Sequence, residues 1–146
     1  MLDVDHFKRF NDTFGHDAGD AVLREVGVVL RTFFRGEDVA CRYGGEEFAL
    51  ILSDTTTEGA AHRAERLREH IAKLSLTFRR QALGPLTASI GIATLPAHAA
   101  TADGLVRLAD QALYAAKRDG RNRVAIATPA DESEPADAAM PEEGLS

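Results

Sequence analysis

Seven consecutive residues, Arg42-Tyr43-Gly44-Gly45-Glu46-Glu47-Phe48, limit what this chain can fold into. β-prone apolar runs flank them, Val39-Ala40-Cys41 before and Phe48 to Leu52 after. A Gly-Gly pair between two such runs predicts a hairpin with a two-residue turn, because that turn requires positive φ and glycine adopts it without strain. Two carboxylates follow at once. Glycines let a backbone approach a phosphate closely, and carboxylates at a strand mouth suit magnesium. A solvated turn with two surface acids satisfies the same seven residues.

The rest of the chain arranges itself around this hairpin, expected over 38–43 and 47–52. Residues 1–4 read as the end of a strand running into Asp3 and Asp5. Phe7, Phe10 and Phe14 recur at helical spacing and predict a short helix over 5–14, stopped by Gly15. Val22, Val26, Val29, Leu30 and Phe33 form the apolar stripe of a helix over 17–34, with Asp17 and Asp20 near its positive end and Gly36 beyond it. Asp54 to Thr57 offer N-caps for a helix over 58–73. In it Ala60, Ala64, Leu67 and Ile71 point inward, while Arg63, Arg66, Arg68 and Glu69 form a mostly solvated face. A short strand is expected at 75–79, a break at Gly84-Pro85, and a cleanly alternating strand over 86–94. Thr101 caps a helix over 102–119 that ends at Gly120, and 123–127 read as a last strand. This order predicts a two-layer α/β (α+β) sandwich with a mixed central sheet.

A chain of 146 residues with 45% apolar content has enough material for one domain with a core. The single cysteine, Cys41, forbids an internal disulfide and fits a reducing cytoplasm. No apolar run approaches the ~20 residues a bilayer span needs, and acids stand where a signal peptide carries basic residues. The net charge of −6 is concentrated in the tail: residues 129–146 hold six acids and no Lys or Arg, leaving 17 acids against 17 bases elsewhere. A neutral body gives no basic surface for nucleic acid. From Thr128 onward Pro, Ala, Glu, Asp and Ser dominate, so 128–146 are expected to be a disordered tail after a domain spanning 1–127.

Five stretches together resemble one family. They are Asp3-Val4-Asp5-His6-Phe7-Lys8, Asn11 to Asp20, Arg42 to Phe48, Ser89-Ile90-Gly91-Ile92-Ala93, and Ala109 to Asn122. In this order they are similar to the motifs of the GGDEF family, the diguanylate cyclases, here with the GGEEF variant. The resemblance runs from residue 1 to about 127 and implies a fold like the palm of nucleotide cyclases and polymerases, with a ferredoxin-like core. It implies condensation of two GTP into cyclic di-GMP with release of two pyrophosphates, each domain of a homodimer supplying half of the site.

The resemblance also implies roles. Asp3 and Glu46 would hold magnesium, with the backbone carbonyl of Val4 and Glu47 assisting. Two ions per half-site are implied, and manganese is an alternative. A divalent ion lowers the charge cost of an in-line displacement and helps ionise a 3′-hydroxyl. Of the two turn acids, Glu47 is the better placed to act as base. Asn11 and Asp20 would read guanine, whose N1–H and 2-amino group donate to a carboxylate where adenine offers no such pair. Out of that context both residues read as ordinary helix-end polar groups, and Asp3 and Asp5 as solvated acids at a strand end. Lys8, Lys117 and Arg121 would bind phosphates, Gly44 and Gly45 would admit them, and His16 would pack the guanine loop. Lys117 and Arg121 also suit a helix C-terminus for its dipole alone.

Arg35-Gly36-Glu37-Asp38 resembles the family's inhibitory site, where product binds, with Arg66 as a second arginine. The spacing alone carries little, since Arg9 and Asp12, and Arg107 and Asp110, share it. The family's domain ordinarily begins with a helix and an Asp-x-Leu-Thr-x-Leu-x-Asn-Arg element before the first strand. Such elements, and a sensor or dimerising domain, are therefore expected upstream in a longer protein, or behind a misplaced start. Two other readings stay open: a receptor that captures cyclic di-GMP through Arg35 and Asp38 without turnover, and an inactive fragment of a longer signalling protein.

Overall fold

A computed structural model describes residues 1–129; the greater part of the expected tail, 130–146, lies outside the described residues. The elements in chain order are β1 (Leu2–Val4), α1 (Phe7–Phe14), α2 (His16–Phe33), β2 (Val39–Arg42), β3 (Glu47–Ile51) and α3 (Thr57–Ala72). They continue as β4 (Leu76–Phe78), β5 (Gln81–Leu83), β6 (Ala88–Ile92), α4 (Ala102–Arg118) and β7 (Val124–Ile126).

Five strands form one sheet in the order β2-β3-β1-β6-β7. β1 is central and antiparallel to both neighbours, with Asp3 opposite Glu47 on β3 and Ser89 on β6. β7 joins β6 in parallel, so the sheet is mixed, as expected. β1, β2, β3 and β6, with the helices between them, follow the ferredoxin-like β-α-β-β-α-β path.

Alternation sorts the two faces. Leu2, Val4, Phe48, Ala88, Ile90 and Ile92 share one face and one core cluster with Val22, Val26 and Leu30 of α2 and Leu67 and Ile71 of α3. Each Val, Leu, Ile or Phe among them contributes roughly 1.5–3 kcal/mol by leaving water. α4 lies on the opposite face. A Cβ built on Gly91 would stand 2.2 Å from the backbone N of Leu113 and 2.4 Å from the carbonyl O of Ala109. Only a residue without a side chain lets α4 approach β6 this closely.

The helix ends follow local chemistry. Gly15 closes α1 at φ 93°. The Thr56 hydroxyl accepts from Gly59 N at 3.0 Å and caps α3; Thr101 does the same for α4 from Gly104 N at 3.1 Å. No described helix is long and apolar enough to cross a membrane.

Two expectations differ from the structure. The short strand at 75–79 has a hairpin partner, β5, joined through Arg79 and Arg80 at φ 49° and 66°. Two arginines are not a turn signal, which is why β5 is invisible in the sequence. The arginine face of α3 is also not uniformly solvated. Arg66 is exposed, but Arg63 and Arg68 are half-buried and fully engaged.

Candidate functional site

The mouth of β1, the loop between β2 and β3, and the last turn of α4 meet at one end of the sheet. Asp3 is buried, and its Oδ2 accepts from Lys117 Nζ at 2.7 Å. Asp3 faces Glu47 across the β1–β3 ladder, and Val4 N donates to the Glu46 carbonyl at 3.2 Å. The central strand thus gathers Asp3, Glu46, Glu47 and Lys117.

Burial pushes the Asp3 carboxyl up to about 6; the Lys117 hydrogen bond and charge oppose this, and Glu46 and Glu47 push it further. Glu47 is also raised, by burial first and then by Asp110. Asp110 is raised by its own burial. The Lys117 and Met1 ammonium groups oppose these shifts, yet burial and mutual repulsion leave Asp3, Glu47 and Asp110 raised, so the cluster favours protons or cations.

Asp110 is a member of this cluster that the sequence reading missed. It lies seven residues before Lys117 on α4, hence on the same helical face, and that spacing is the signal that would have found it.

The expected two-residue turn is absent. Register pairs Arg42 with Phe48, so the connection spans Tyr43 to Glu47, and neither Gly44 nor Gly45 has positive φ. Arg42 fixes the loop instead. Its Nε and Nη2 donate to the Gly45 carbonyl at 2.9 and 2.6 Å, and Nε reaches Gly44 O at 3.2 Å. A Cβ on Gly44 would stand 3.3 Å from Glu47 Oε2, whereas one on Gly45 would meet nothing within 4 Å.

Asp3, Glu46 and Glu47 bring together hard oxygen donors of the kind magnesium takes. Among the described residues no three Asp, Glu, His or Cys side chains form a ready cage for an ion. Magnesium does not require one, since it keeps waters and takes substrate phosphates as ligands.

A second corner lies between α1 and α2. Asn11 is half-buried, and its Oδ1 is fully buried without a hydrogen-bond partner among the described residues. A Cβ on Gly19 would sit 1.8 Å from that oxygen, so the glycine makes the space Asn11 occupies. A buried carbonyl oxygen without a donor costs about 1–3 kcal/mol. Asp20, the next residue of α2, is exposed and lines a cavity of about 630 Å³ with Leu23, Arg24, Arg42 and Phe48. Lys8 and His16 are exposed on α1 and at the start of α2. Arg121 is half-buried after α4, in a left-handed conformation at φ 62°.

A third group joins the α2–β2 loop to α3. Asp38 Oδ2 accepts from Arg63 Nη2 at 2.8 Å and Arg35 N at 3.0 Å, while Oδ1 accepts from Ser53 N at 3.2 Å. Arg63 also donates to Phe33 O at 3.1 Å and lies over the Phe34 ring. The Arg63 hydrogen bond is the main cause that holds the Asp38 carboxyl down at about 2. Arg35 and Arg66 are exposed, so Arg63, not Arg66, is the arginine that meets Asp38.

Comparison with known proteins gives one answer. The family profile described as "Diguanylate cyclase, GGDEF domain" matches residues 1–123. The chain is 41% identical over 126 residues to diguanylate cyclase A of Treponema denticola, covering 86% of this chain and 34% of that one. It is 44% identical to the response regulator PleD of Caulobacter vibrioides, covering 85% and 28%. A crystal structure of the GGDEF domain of DgcB from Caulobacter crescentus, in complex with cyclic di-GMP, superposes with a TM-score of 0.77 at 41% identity, covering 86% of this chain and 74% of that one. The chain thus spans about a third or less of the length of these curated relatives. The ferredoxin-like sheet, the acid cluster at its mouth and a profile match over most of the described residues agree: this chain belongs to the GGDEF, or diguanylate cyclase, domain family.

Proposed function

We propose that this chain is the catalytic domain of a diguanylate cyclase, condensing two GTP into cyclic di-GMP and two pyrophosphates. The observation that carries this reading is the convergence of buried Asp3 with Glu46, Glu47 and Lys117 at the mouth of β1.

In each half-reaction a 3′-hydroxyl oxygen bonds to the α-phosphorus of the other GTP, and the bond to pyrophosphate breaks. Glu47, raised above the usual carboxylate range by burial, is suited to accept the proton of that hydroxyl. Magnesium on Asp3, Glu46 and the Val4 carbonyl would draw off phosphate charge. Lys117, Lys8 and Arg121 bind phosphate oxygens. Lys117 has three N–H donors, so it can reach phosphate oxygens while one of them stays on Asp3. Asn11 Oδ1 and Asp20 accept from the guanine edge, which gives the buried Asn11 oxygen a donor.

Because each domain carries one such set, the reaction requires two copies face to face, and the active form is a homodimer. Feedback uses the Arg35 and Asp38 loop. Since Asp38 is committed to Arg63, product must displace that arginine or bind beside it, with Arg66 as an exposed contact.

The test is incubation of the purified chain at high concentration with GTP and magnesium, followed by chromatographic separation of nucleotides, with Glu46→Ala in parallel. Cyclic di-GMP from the wild type alone supports the reading. GTP bound but left unconverted, by a chain that dimerises and melts cooperatively, would sink it.

A further inference from the structure

The second aspartate of β1's mouth has no part in the reaction above, yet it is buried and fully bonded. Asp5 is 5% exposed. Its Oδ1 accepts from Ser89 Oγ at 2.6 Å; its Oδ2 accepts from Thr87 Oγ1 at 2.7 Å and from the backbone N of Asn122 at 3.0 Å. All three donors belong to the protein, so Asp5 is not placed as a spare metal ligand.

Asn122 is held from a second side. Its Oδ1 accepts from Arg68 Nη1 at 2.8 Å, and Arg68 is itself paired with Glu65 on α3. Arg121 and Asn122 both lie in the left-handed region, at φ 62° and 47°. A non-glycine residue there is strained, and two in succession persist only when their surroundings fix them. The clamp from β1 and α3 is what fixes them.

We infer that Asp5, Asn122 and Arg68 form a positioning clamp that holds Arg121 against the phosphate-binding end of the site. The inference rests on the nucleotide reading above. The two aspartates divide the work on one segment. Asp3 holds Lys117; Asp5 holds Asn122, five residues on. The clamp therefore fixes the turn that carries Arg121 independently of the Lys117 contact.

The test uses Asp5→Asn and Arg68→Gln in the full chain, each alone and combined with Arg121→Ala, with GTP and guanosine affinities measured by calorimetry. The sign separates two explanations for Asp5. Removing a negative charge near phosphates should by itself tighten GTP binding, whereas loss of positioning should weaken it. Roughly tenfold weaker GTP binding is expected for each single variant, the scale of one charge-assisted contact. Guanosine affinity should be unchanged, and neither change should add to the loss already caused by Arg121→Ala. Faster hydrogen exchange at the Asn122 amide, with a cooperative melt retained, should accompany the effect.

Equal losses for GTP and guanosine, or full additivity with Arg121→Ala, would overturn the clamp as a positioning device. Asn122→Gly guards against misfolding, because glycine suits the left-handed backbone while dropping the Arg68 contact. If it binds GTP as the wild type does, the Arg68 arm is refuted. A wild type that binds no GTP would instead overturn the nucleotide reading and this role with it, and that failure is visible before any variant is made.

Discussion

Lys117 Nζ lies 2.7 Å from Asp3 Oδ2, both side chains being at least nine-tenths buried, and this pair joins the end of α4 to the central strand. Its two halves are not equivalent. Removing Asp3's charge leaves an ammonium beside Glu46 and Glu47, still in acidic company. Removing Lys117 leaves three carboxylates without their main counter-charge. Lys117→Met should therefore cost about 3 kcal/mol and Asp3→Asn within about 1 kcal/mol. Thermal melts near pH 8 measure the difference. Magnesium should restore much of the stability of Lys117→Met and little of Asp3→Asn, since only the former keeps the full donor set. Equal melting points with and without the ion would count against a metal at Asp3.

Asn11 offers the opposite signature, function lost without stability lost. Its Oδ1 is buried and without a hydrogen-bond partner among the described residues. Truncation to Ala removes an unsatisfied acceptor, so the stability change should stay within about 0.5 kcal/mol. Affinity for GTP should fall roughly tenfold, and preference over ATP should shrink, if that oxygen accepts from guanine. Gly19→Ala should have a similar nucleotide phenotype, because its Cβ would displace Asn11. A large loss of stability in Asn11→Ala would mean that the side chain is structural.

The elements were legible because their patterns are periodic. The valine stripe of α2, the alternation leading into β6 and the threonine caps of α3 and α4 all lie within a few residues of their expected places. What the sequence concealed was long-range or unconventional. The Gly-Gly pair signalled a tight turn, but the loop is wider, and its shape comes from Arg42 gripping carbonyls. Arg63 looked like one of several surface arginines, and only the fold brings it to Asp38, 25 residues away. Asp5 looked solvated because its partners, Ser89 and Asn122, are more than 80 residues distant. Local pattern carries no information about such pairings.

Gly91 tests the packing between β6 and α4. Its missing Cβ would collide with backbone atoms at 2.2 and 2.4 Å, and backbone cannot rotate away as a side chain can. Gly91→Ala should cost about 3 kcal/mol or more, read as a lower urea midpoint. Shifting α4 should also move Lys117, so residual GTP binding in the folded fraction should weaken. A near-neutral substitution would mean that α4 can slide on the sheet.

Asp38 sets an acid limit on stability. Its carboxyl, held at about 2 by Arg63 and two backbone N–H groups, would titrate near 3.8 once the chain unfolds. The folded pKa is depressed, so the stabilising contribution is fully present above about pH 4 and is lost as pH falls toward 2. The wild type should therefore lose stability across that window more steeply than Asp38→Asn, which begins less stable at pH 7 and has less to lose. Arg63→Gln should flatten the same window while leaving the carboxylate in place, because the arginine is the largest cause of the shift. Denaturant melts at half-unit pH steps from 5 to 2 would show this. Parallel curves for all three proteins would mean that the pair is too solvated to matter. Product affinity belongs in the same series. If cyclic di-GMP competes with Arg63 for Asp38, Arg63→Gln should bind it more tightly than the wild type; if Arg63 is itself a ligand of the product, binding should weaken.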